Sequence, residues 1–348
     1  MVISRAYGRR PEKRFDERYP VVVAGAGVTG LAAARLLQSL GLECVVFEKG
    51  ARVGGRCATR TAGDAVFDYG AQFFTARSAE FQQLVGEWTA RGVAREWTRS
   101  FPSLDGVAEQ PGFPRYIGAD GMSGVAETLA EGVDVRFDRR VKRITEARGY
   151  WDMEMEEGPA VRADALLLTM PLPLALRLIN DENTWRFGAL LAPVAGARYF
   201  PCFTAMAVLD GPSGLPGPGA LRMDEGPAAW VADNRIKGVS KAHAVTIHAT
   251  HDWSEAHLDL SPQEAAQALL DAVRPHLAAR AAQVQGYRWR YSAPAAVLPT
   301  MHYYLDCRAP LCFAGDAFGG RRLEGAVLSG RSAARALAAR LSGENDTP

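Results

Sequence analysis

The chain has 348 residues, which is long enough for two lobes built around a large core. Lys and Arg together number 40 and Asp and Glu 39, so the net charge of +1 favours neither nucleic acid nor an anionic membrane surface as a partner. The five cysteines form no C-x-x-C pair, which is typical of reduced thiols in a cytoplasmic protein and argues against a disulfide framework or a zinc site. The longest apolar stretch, Ala165–Leu176, contains two prolines and is too short to cross a bilayer. We therefore expect no bound metal and no membrane contact.

The first twenty residues are polar and basic, and we expect residues 1–20 to form a flexible tail. The pair Arg9–Arg10 invites comparison with a twin-arginine signal. However, the apolar run that follows is a glycine motif, and no cleavage site of small residues comes after it.

A strand, a glycine motif and a helix follow one another after this segment. Val21–Ala24 is a β-branched run typical of a strand buried on both faces, and Leu31–Leu40 is rich in helix-forming residues. Between them, "GAGVTG" matches G-x-G-x-x-G, whose glycines allow a tight turn, close approach to a pyrophosphate and close packing of helix on strand. The free N–H groups of the helix N-terminus suit phosphates. The residues predicted to bind a dinucleotide here are Gly25, Ala26, Gly27, Thr29 and Gly30.

An acidic residue closes the next predicted strand. The strand Cys44–Glu48 ends eighteen residues after Gly30, and a carboxylate there accepts hydrogen bonds from ribose hydroxyls and repels a 2′-phosphate. We place Glu48 and its neighbour Lys49 in the site. A glycine-rich turn without a ligand is the alternative, but the complete order of strand, motif, helix, strand and acid favours a dinucleotide, either NAD or FAD.

The continuation "EKGARVGGRCATR" decides between these two cofactors. Gly55 and Arg56 resemble the "GGR" extension of the flavin-dependent amine oxidase superfamily, which implies FAD with the arginine facing its pyrophosphate. A guanidinium suits that task because its fork binds phosphate oxygens bidentately. The alternative is a surface arginine in a loop. No cysteine stands in the attachment context of the monoamine oxidases, so we expect noncovalent FAD.

Two more segments resemble the same superfamily. In "APLCFAGDAFGGRRLEGAVLSGRSAARAL", the pair Gly315–Asp316 resembles the "GD" at which such flavoproteins hold the ribityl chain and pyrophosphate. The resemblance implies that the last helix, which begins at Glu324, Gly325 and Ala326, points its N-terminus at the flavin pyrimidine, where it favours the anionic reduced ring. It also implies that backbone groups at Val141 hold the adenine.

Both ends of the chain therefore contribute to one cofactor site, and the substrate lobe is inserted between them. The resemblance implies an α/β fold: a Rossmann-type FAD-binding domain with an inserted, mainly antiparallel α+β substrate domain. Alternating segments such as Ala244–Thr250 support the antiparallel part. We assign residues 21–75, 115–180 and 286–342 to the FAD-binding domain and residues 76–114 and 181–285 to the substrate domain.

Four further segments narrow the resemblance to the renalase family, especially its compact bacterial members. They are "VFDYGAQFFTARS", "WVADNRIK", "IHATHDWSEAHL" and "YRWRYSAPA", and the resemblance runs from about Val21 to Leu337. The chain has Arg235–Gly238 where bacterial members tend to have Ser-Lys-Pro-Gly. The family implies an oxidase that transfers a hydride from non-canonical dihydro isomers of NAD(P) to flavin N5, with O2 as acceptor and H2O2 and NAD(P)+ as products. Such chemistry depends mainly on positioning and needs no nucleophile.

We predict the substrate site from three of these segments. Gln72, Phe73 and Phe74, with Gly70 and Ala71 before them, are expected at the junction of the lobes, beside the flavin ring; the alternative is that both phenylalanines are core residues and only Gln72 matters. Trp289 and Tyr291 share one face of an extended segment and are expected to line the pocket, unless Trp289 belongs to a hinge core. His248 lies on the polar face of a predicted strand and is expected to hydrogen-bond the substrate as a neutral imidazole; the alternative is a solvent-facing or core histidine.

Three other functions remain open at this level. An amine oxidase of the same superfamily would use an aromatic cage and a carboxylate for its cationic substrate. A terpenoid desaturase would need a larger apolar tunnel. A flavin-binding redox sensor without turnover would share every cofactor motif. The dihydro isomer, its NAD or NADP origin and the oligomeric state are also left open.

Overall fold

The computed structural model describes residues 15–102, 110–179, 181–305 and 307–343. The first nine strands are β1 (Phe15–Ala24), β2 (Cys44–Phe47), β3 (Thr59–Ala62), β4 (Ala65–Asp68), β5 (Phe74–Thr75), β6 (Ala94–Thr98), β7 (Arg115–Gly118), β8 (Val135–Arg136) and β9 (Val141–Ala147). The others are β10 (Tyr150–Met155), β11 (Ala160–Leu168), β12 (Tyr199–Leu209), β13 (Ala220–Arg222), β14 (Ala228–Asp233), β15 (Ala244–Ala249), β16 (Ala281–Pro294), β17 (Tyr303–Leu305) and β18 (Leu311–Phe313). The helices are α1 (Val28–Ser39), α2 (Ala79–Ala90), α3 (Ser123–Ala130), α4 (Leu172–Leu178), α5 (Asp181–Ala195), α6 (His251–Ala256), α7 (Pro262–Val273), α8 (Asp316–Gly319) and α9 (Leu323–Leu341). None of the helices in these ranges combines the length and apolarity that a membrane crossing requires.

An eight-stranded sheet forms the first lobe, with the strand order β17-β18-β11-β1-β2-β8 and with β10 and β9 added beside β11. The strand β1 runs parallel to both β2 and β11, as a Rossmann-type fold requires. Because side chains alternate along a strand, Val21 and Val23 pack into the hydrophobic cluster under α1 and α9, whereas Val22 packs into the cluster on the other face. The predicted buried strand and α/β fold class are confirmed.

The tail prediction is wrong for residues 15–20. They form the first half of β1, in register with the start of β11, where Arg18 lies opposite Arg162. The Arg18 guanidinium donates to the Asp164 carboxylate at 2.7 Å, and Tyr19 packs edge-on against Phe47. The polar composition that suggested a tail belongs to the first part of β1, which pairs with β11 before the pairing with β2 begins at Val21. Backbone pairing at this end of the sheet needs no apolar side chains. Residues 1–14 lie outside the described residues.

A five-stranded antiparallel sheet, in the order β13-β14-β15-β12-β16, forms the second lobe. Val245 and Ile247 on one face of β15 pack with Leu269 of α7 in a separate hydrophobic cluster. The opposite face of β15 carries Thr246 and His248, as the alternation predicts. The expected antiparallel character of the inserted region is thereby confirmed.

Two small sheets lie between these lobes. The hairpin β3–β4 contacts β15 through β4, and the sheet β5-β7-β6 contacts the helices α9, α3 and α2. In α2, Phe81, Val85 and Trp88 pack into the same cluster as α1, although residues 76–114 were assigned to the substrate domain. The division into two domains stays a prediction, and α2 belongs by its packing to the first lobe. Residues 103–109 of that segment lie outside the described residues.

Candidate cofactor and substrate site

The glycine motif forms a tight turn between β1 and α1. Gly25 has a φ of +111°, a conformation that glycine adopts readily, and its N–H donates to the Phe47 carbonyl at 2.8 Å. A Cβ at Gly30 would overlap the Gly25 carbonyl oxygen, so this glycine allows helix and turn to touch. In contrast, a Cβ at Gly27 would meet nothing within 4 Å. Gly27 also serves as the N-cap of α1 without any side-chain cap, which leaves the first-turn N–H groups, including that of Thr29, to a ligand.

Glu48 lies against this turn. One carboxylate oxygen accepts the Ala26 N–H at 2.9 Å and the other accepts the Gly50 N–H at 2.9 Å. Each oxygen keeps a lone pair for a ribose hydroxyl. The side chain of Lys49 is exposed. Val141, the predicted adenine contact, begins β9 two residues after Arg139, whose N–H donates to the Glu48 carbonyl at 2.9 Å.

The "GGR" segment folds back onto the glycine motif. Gly54 bridges to Gly27, and its N–H donates to the Ala26 carbonyl at 2.9 Å. Gly55 is exposed, with a φ of +56°, and lies against the Cα of Gly27. The segment thus packs glycine against glycine beside the N-terminus of α1, with no side chain of its own at Gly54 or Gly55 to cover the turn.

Arg56 and Asp316 were predicted from opposite ends of the chain, and they bind each other. The guanidinium donates to both carboxylate oxygens, at 2.5 and 2.9 Å, and to the Ser292 carbonyl at 2.9 Å. Tyr199 donates its hydroxyl to Asp316 at 3.0 Å. Burial lowers the pKa of Arg56, but the facing carboxylate offsets this and the net shift is upward. The Nη1 donors therefore bind Ser292 and Asp316, and one edge of the guanidinium, formed by Nε and the second Nη2 proton, remains for a phosphate.

The N-terminus of α9 is anchored to both α8 and α2. Glu324 accepts the Ser78 N–H at 2.7 Å, and Ser78 is the residue whose side chain caps α2. A Cβ at Gly325 would overlap the Gly319 carbonyl, which explains this glycine by packing. Gly315 donates its N–H to the Ser329 hydroxyl of α9 at 2.8 Å. Ala326 is buried in the cluster beneath α1.

The carbonyl of Tyr69 brings together side chains from three strands of the second lobe, β16, β15 and β12. It accepts hydrogen bonds from Trp289 Nε1 at 2.9 Å, from His248 Nε2 at 3.2 Å and from the Thr204 hydroxyl at 3.3 Å. Trp289 also stacks on the Tyr69 ring, with centroids 5.2 Å apart. The structure therefore brings Trp289 and His248 together beside the segment that contains Gln72.

Gln72 is buried and its amide is fully engaged. Its Nε2 donates to the carbonyls of Asp68 at 2.5 Å and Gly70 at 3.2 Å, and its Oε1 accepts from Trp230 Nε1 at 3.4 Å. The N–H of Ala71 donates to the Arg56 carbonyl at 2.8 Å, which ties this segment to the "GGR" turn.

Phe73 uses its side chain in packing. Its ring contacts Trp97, Phe101 and Trp230, with centroid distances of 5.3–6.4 Å. The neighbouring Phe74 is part of the core around α2. Phe74 therefore packs as the core alternative expects, whereas Phe73 is half-buried and its place beside the flavin ring stays a prediction.

His248 stays neutral at physiological pH. Burial lowers its pKa to about 4, with Lys237 adding to this effect and the Tyr69 carbonyl opposing it. Because a carbonyl only accepts, His248 carries its proton on Nε2 and Nδ1 is an acceptor. His251, three residues farther along the chain, does not contact the Tyr69 carbonyl; its ring stacks on Phe200.

Tyr291 lies farther along β16. Its ring contacts Tyr199 edge-on at 6.0 Å, beside the Arg56–Asp316 pair, and Arg290 between it and Trp289 is exposed. The two aromatic residues thus share the inward side, as alternation predicts.

Sequence reasoning missed the most deeply buried charges near this site. Lys237 Nζ lies 2.6 Å from Asp68 Oδ2, and both side chains are fully buried. Asp68 Oδ1 accepts from the Thr59 hydroxyl at 2.6 Å and from the Met122 N–H at 2.7 Å. Both residues lie within the segments "FDYG" and "NRIK" that carried the resemblance, but neither pattern indicates an ion pair across 169 positions.

The described residues fit FAD. The uncapped N-terminus of α1, the open space above Gly27 and the free lone pairs of Glu48 match a pyrophosphate and a ribose. No cluster of His, Cys, Asp or Glu suited to a metal ion occurs in the part of the chain that the structure describes.

Comparison with known proteins agrees with this geometry. The model of the flavin containing amine oxidoreductases matches residues 99–338, and that of the NAD(P)-binding Rossmann-like domain matches residues 23–88. Renalase of Mus musculus is 28% identical over 172 residues, which cover 46% of this chain and 49% of the renalase. Putrescine oxidase of Kocuria rosea is 42% identical over 67 residues, 19% of this chain and 14% of that protein. The matched segments therefore span about half or less of these relatives.

Solved structures share the whole fold. Cyclohexylamine oxidase from Brevibacterium oxydans IH-35A superposes with a TM-score of 0.71 at 15% identity, covering 93% of this chain and 99% of that chain. A putative protoporphyrinogen oxidase from Exiguobacterium sp. 255-15 gives a TM-score of 0.72 at 15% identity with the same coverage. The family model is that of flavin containing enzymes, and the site described above fits FAD as the flavin. Because the family model covers 240 of the 348 residues (338 − 99 + 1), the chain belongs to the flavin containing amine oxidoreductases.

Proposed function

We propose that this protein is an FAD-dependent oxidase of non-canonical dihydro isomers of NAD(P). The observation that carries the proposal is the position of His248, whose Nε2 lies 3.2 Å from the same Tyr69 carbonyl that Trp289 binds at 2.9 Å. In keeping with this position, burial lowers the pKa of His248 to about 4. Loss of a hydride from a dihydronicotinamide requires no base. Oxidation of an amine starts from an ammonium that must lose a proton, and an imidazole with this pKa is a weak base at neutral pH.

The carboxylates near the site support the same conclusion. Asp68 is paired with Lys237, Asp316 is paired with Arg56, and Glu324 accepts the backbone N–H groups of Arg77 and Ser78. Within the described part of the chain, each acid of this region is already engaged, which disfavours recognition of a substrate ammonium. The rings of Tyr69, Tyr287 and Trp289 contact one another at 4.6–5.2 Å and leave no open cage between parallel rings.

The residues that would hold FAD follow from the geometry of the first lobe. The N–H groups of Thr29 and Gly30 would bind the pyrophosphate, Glu48 the ribose, and the turn at Gly315–Asp316 the ribityl chain. When bound, FAD would supply the acceptor for the hydride and would pass both electrons to O2, which takes up two protons and leaves as H2O2. We propose that the FAD is noncovalent, in line with the buried position of Cys312 and Cys57.

The substrate lobe would orient the nicotinamide. We propose that His248 Nδ1 accepts a hydrogen bond from the substrate carboxamide while Nε2 remains on the Tyr69 carbonyl. Trp289 would restrict the position of the nicotinamide ring on one side. Tyr291 would lie on the side of the pocket nearer the Arg56–Asp316 pair. Gln72, whose donors bind Asp68 and Gly70, would fix the backbone of residues 70–72 against the flavin ring.

Anaerobic mixing of the FAD-loaded protein with candidate reductants tests the proposal. We expect isomeric dihydronicotinamide dinucleotides to bleach the flavin absorbance rapidly and simple primary amines to leave it unchanged. Bleaching by amines alone would identify an amine oxidase instead. Failure of both classes to reduce the flavin would favour a redox sensor and reject the oxidase.

A variant assigns the role of His248 within the same assay. His248→Asn keeps a polar side chain but loses the imidazole, and we expect slower flavin reduction with little change in reoxidation by O2. His251→Asn is the matched control, because His251 packs on Phe200. An unchanged reduction rate in the His248 variant would remove this residue from the site.

A further inference from the structure

Arg60 occupies an unusual position at the junction of the lobes. It lies in β3, opposite Phe67 of β4, and its guanidinium carbon is 5.0 Å from the ring centroid of Tyr69 and 5.7 Å from that of Tyr287. Both distances are within the range of a cation–π contact. Among the described residues, no carboxylate forms an ion pair with Arg60. This cation is therefore held by aromatic faces, with its hydrogen-bond donors left over.

The aromatic residues beneath Arg60 form a partly exposed surface. Tyr69 and Tyr287 meet edge-on with centroids 5.0 Å apart, and Trp289 packs against both of them. All three rings and Arg60 are only half-buried. We call these four residues, Arg60, Tyr69, Tyr287 and Trp289, the Arg60 platform. A partly exposed aromatic surface beside an arginine that has no carboxylate partner in the described ranges is a candidate place for an anionic ligand.

The platform adjoins the candidate active site. Tyr69 presents its ring to Arg60 and its carbonyl to Trp289 and His248. The next residue, Gly70, is so close to the Arg56 carbonyl and to Trp289 that no Cβ would fit. A ligand beside His248 and a ligand group at the guanidinium would therefore lie next to the same residue, Tyr69, one at its carbonyl and the other at its ring.

We propose that Arg60 binds a phosphate of the dinucleotide substrate, so that the Arg60 platform selects nucleotides over neutral or cationic molecules. The inference rests on the proposed function. A planar guanidinium that packs on aromatic rings is restricted in its rotation, and its N–H fork matches two phosphate oxygens. A dihydronicotinamide dinucleotide carries a diphosphate beyond its reacting ring, whereas an amine substrate carries none.

Calorimetric titration of the FAD-loaded protein tests this binding without turnover. The ligands are NAD+, ADP-ribose and the phosphate-free nicotinamide riboside. For Arg60→Gln we expect the affinities for NAD+ and ADP-ribose to fall tenfold or more, because one charge-assisted hydrogen-bond pair is lost, while nicotinamide riboside binds as before. Arg60→Lys restores the charge but not the fork and is expected to recover only part of the loss. The wild-type affinity for ADP-ribose should also fall more steeply with salt than that of the glutamine variant.

The matched control is Arg290→Gln, which removes an exposed arginine next to Trp289 on the other side of β16. It should leave all three affinities unchanged. Equal affinity of wild type and Arg60→Gln for ADP-ribose would overturn the inference. Weakened binding by the Arg60 variant supports it, even if dihydronicotinamide isomers fail to bleach the wild-type flavin, a result that would reject the oxidase activity alone.

Discussion

The ammonium of Lys237 and the carboxylate of Asp68 lie 2.6 Å apart, and neither side chain is exposed to solvent. Lys237 comes from the turn after β14 in the second lobe, and Asp68 ends β4 in the hairpin between the lobes. Desolvation lowers the pKa of Lys237, and the carboxylate opposes that shift. The pair thus joins the second lobe to the hairpin, and it does so at the residue before Tyr69, whose carbonyl binds Trp289 and His248. Its position makes it a support for the site.

Removal of one partner of this pair should destabilise the protein strongly. Lys237→Met leaves the Asp68 carboxylate buried and unpaired, and we expect a loss of about 3–5 kcal/mol in the free energy of unfolding. Guanidinium denaturation of the protein measures it. The double variant Asp68→Asn, Lys237→Met removes both charges and should recover part of the loss.

The control is a pair of similar length at the surface. Arg91 and Glu131 are 2.6 Å apart, and both side chains are about half exposed. Arg91→Gln should change the free energy of unfolding by no more than about 1 kcal/mol. If Lys237→Met cost as little as Arg91→Gln, the buried pair would not support the junction.

The second and third glycines of the nucleotide-binding turn, Gly27 and Gly30, should respond differently to substitution. At Gly27 an added side chain meets open space, so Gly27→Val should fold normally and lose FAD, because the valine fills the place of the pyrophosphate. At Gly30 a Cβ overlaps the Gly25 carbonyl, so Gly30→Ala should lower the melting temperature of the apoprotein itself. Flavin absorbance after gel filtration and thermal melts of the apoproteins separate the two effects. Full FAD occupancy in Gly27→Val would reject the cofactor site.

The sequence predicted the parts of the fold that depend on local pattern. The burial of Val21–Ala24, the glycine turn and the facing residues of β15 all follow from residue type and period. The helix α1 starts at Val28, three residues before the predicted start, because the second glycine serves as N-cap. The strand at residues 15–20 was missed because pairing at a sheet rim leaves no apolar signature.

The contacts that organise the candidate site could not be predicted in this way. The Tyr69 carbonyl is a backbone group, and no residue type reveals that three side chains will converge on it. Lys237 looks like a surface lysine in a turn, and its burial depends on a carboxylate 169 positions away. Likewise, the sequence indicated that Arg56 and Asp316 belong to one site but not that they bind each other.

The low pKa of His248 should appear in the pH dependence of stability. In the folded protein the pKa is about 4, below its ordinary value of 6.5, because burial disfavours the imidazolium. Above pH 6.5 both states are neutral and this group contributes no pH dependence. As the pH falls from 6.5 to 4, only the unfolded chain takes up the proton, so stability is lost across this window.

His248→Asn should flatten the curve of unfolding free energy there by up to about 3 kcal/mol, at 1.36 kcal/mol for each pKa unit. Denaturant unfolding at several pH values measures it, and parallel curves for the variant and wild type would show that His248 titrates normally.

Trp289 combines stacking on Tyr69 with a hydrogen bond to its carbonyl, and two substitutions separate these contributions. Trp289→Phe keeps an aromatic ring on Tyr69 but loses the 2.9 Å hydrogen bond, at a cost of about 1 kcal/mol in stability. If Trp289 limits the nicotinamide position, this variant should slow flavin reduction about tenfold or more, and Trp289→Ala should slow it further while also lowering the melting temperature. Trp88→Phe serves as the comparison, because Trp88 packs on Phe74 and Phe81 in the core around α2 and should change stability alone. Anaerobic stopped-flow reduction and thermal melts measure both quantities for each variant. A Trp289→Phe protein that is reduced as fast as the wild type would assign Trp289 to the hinge core.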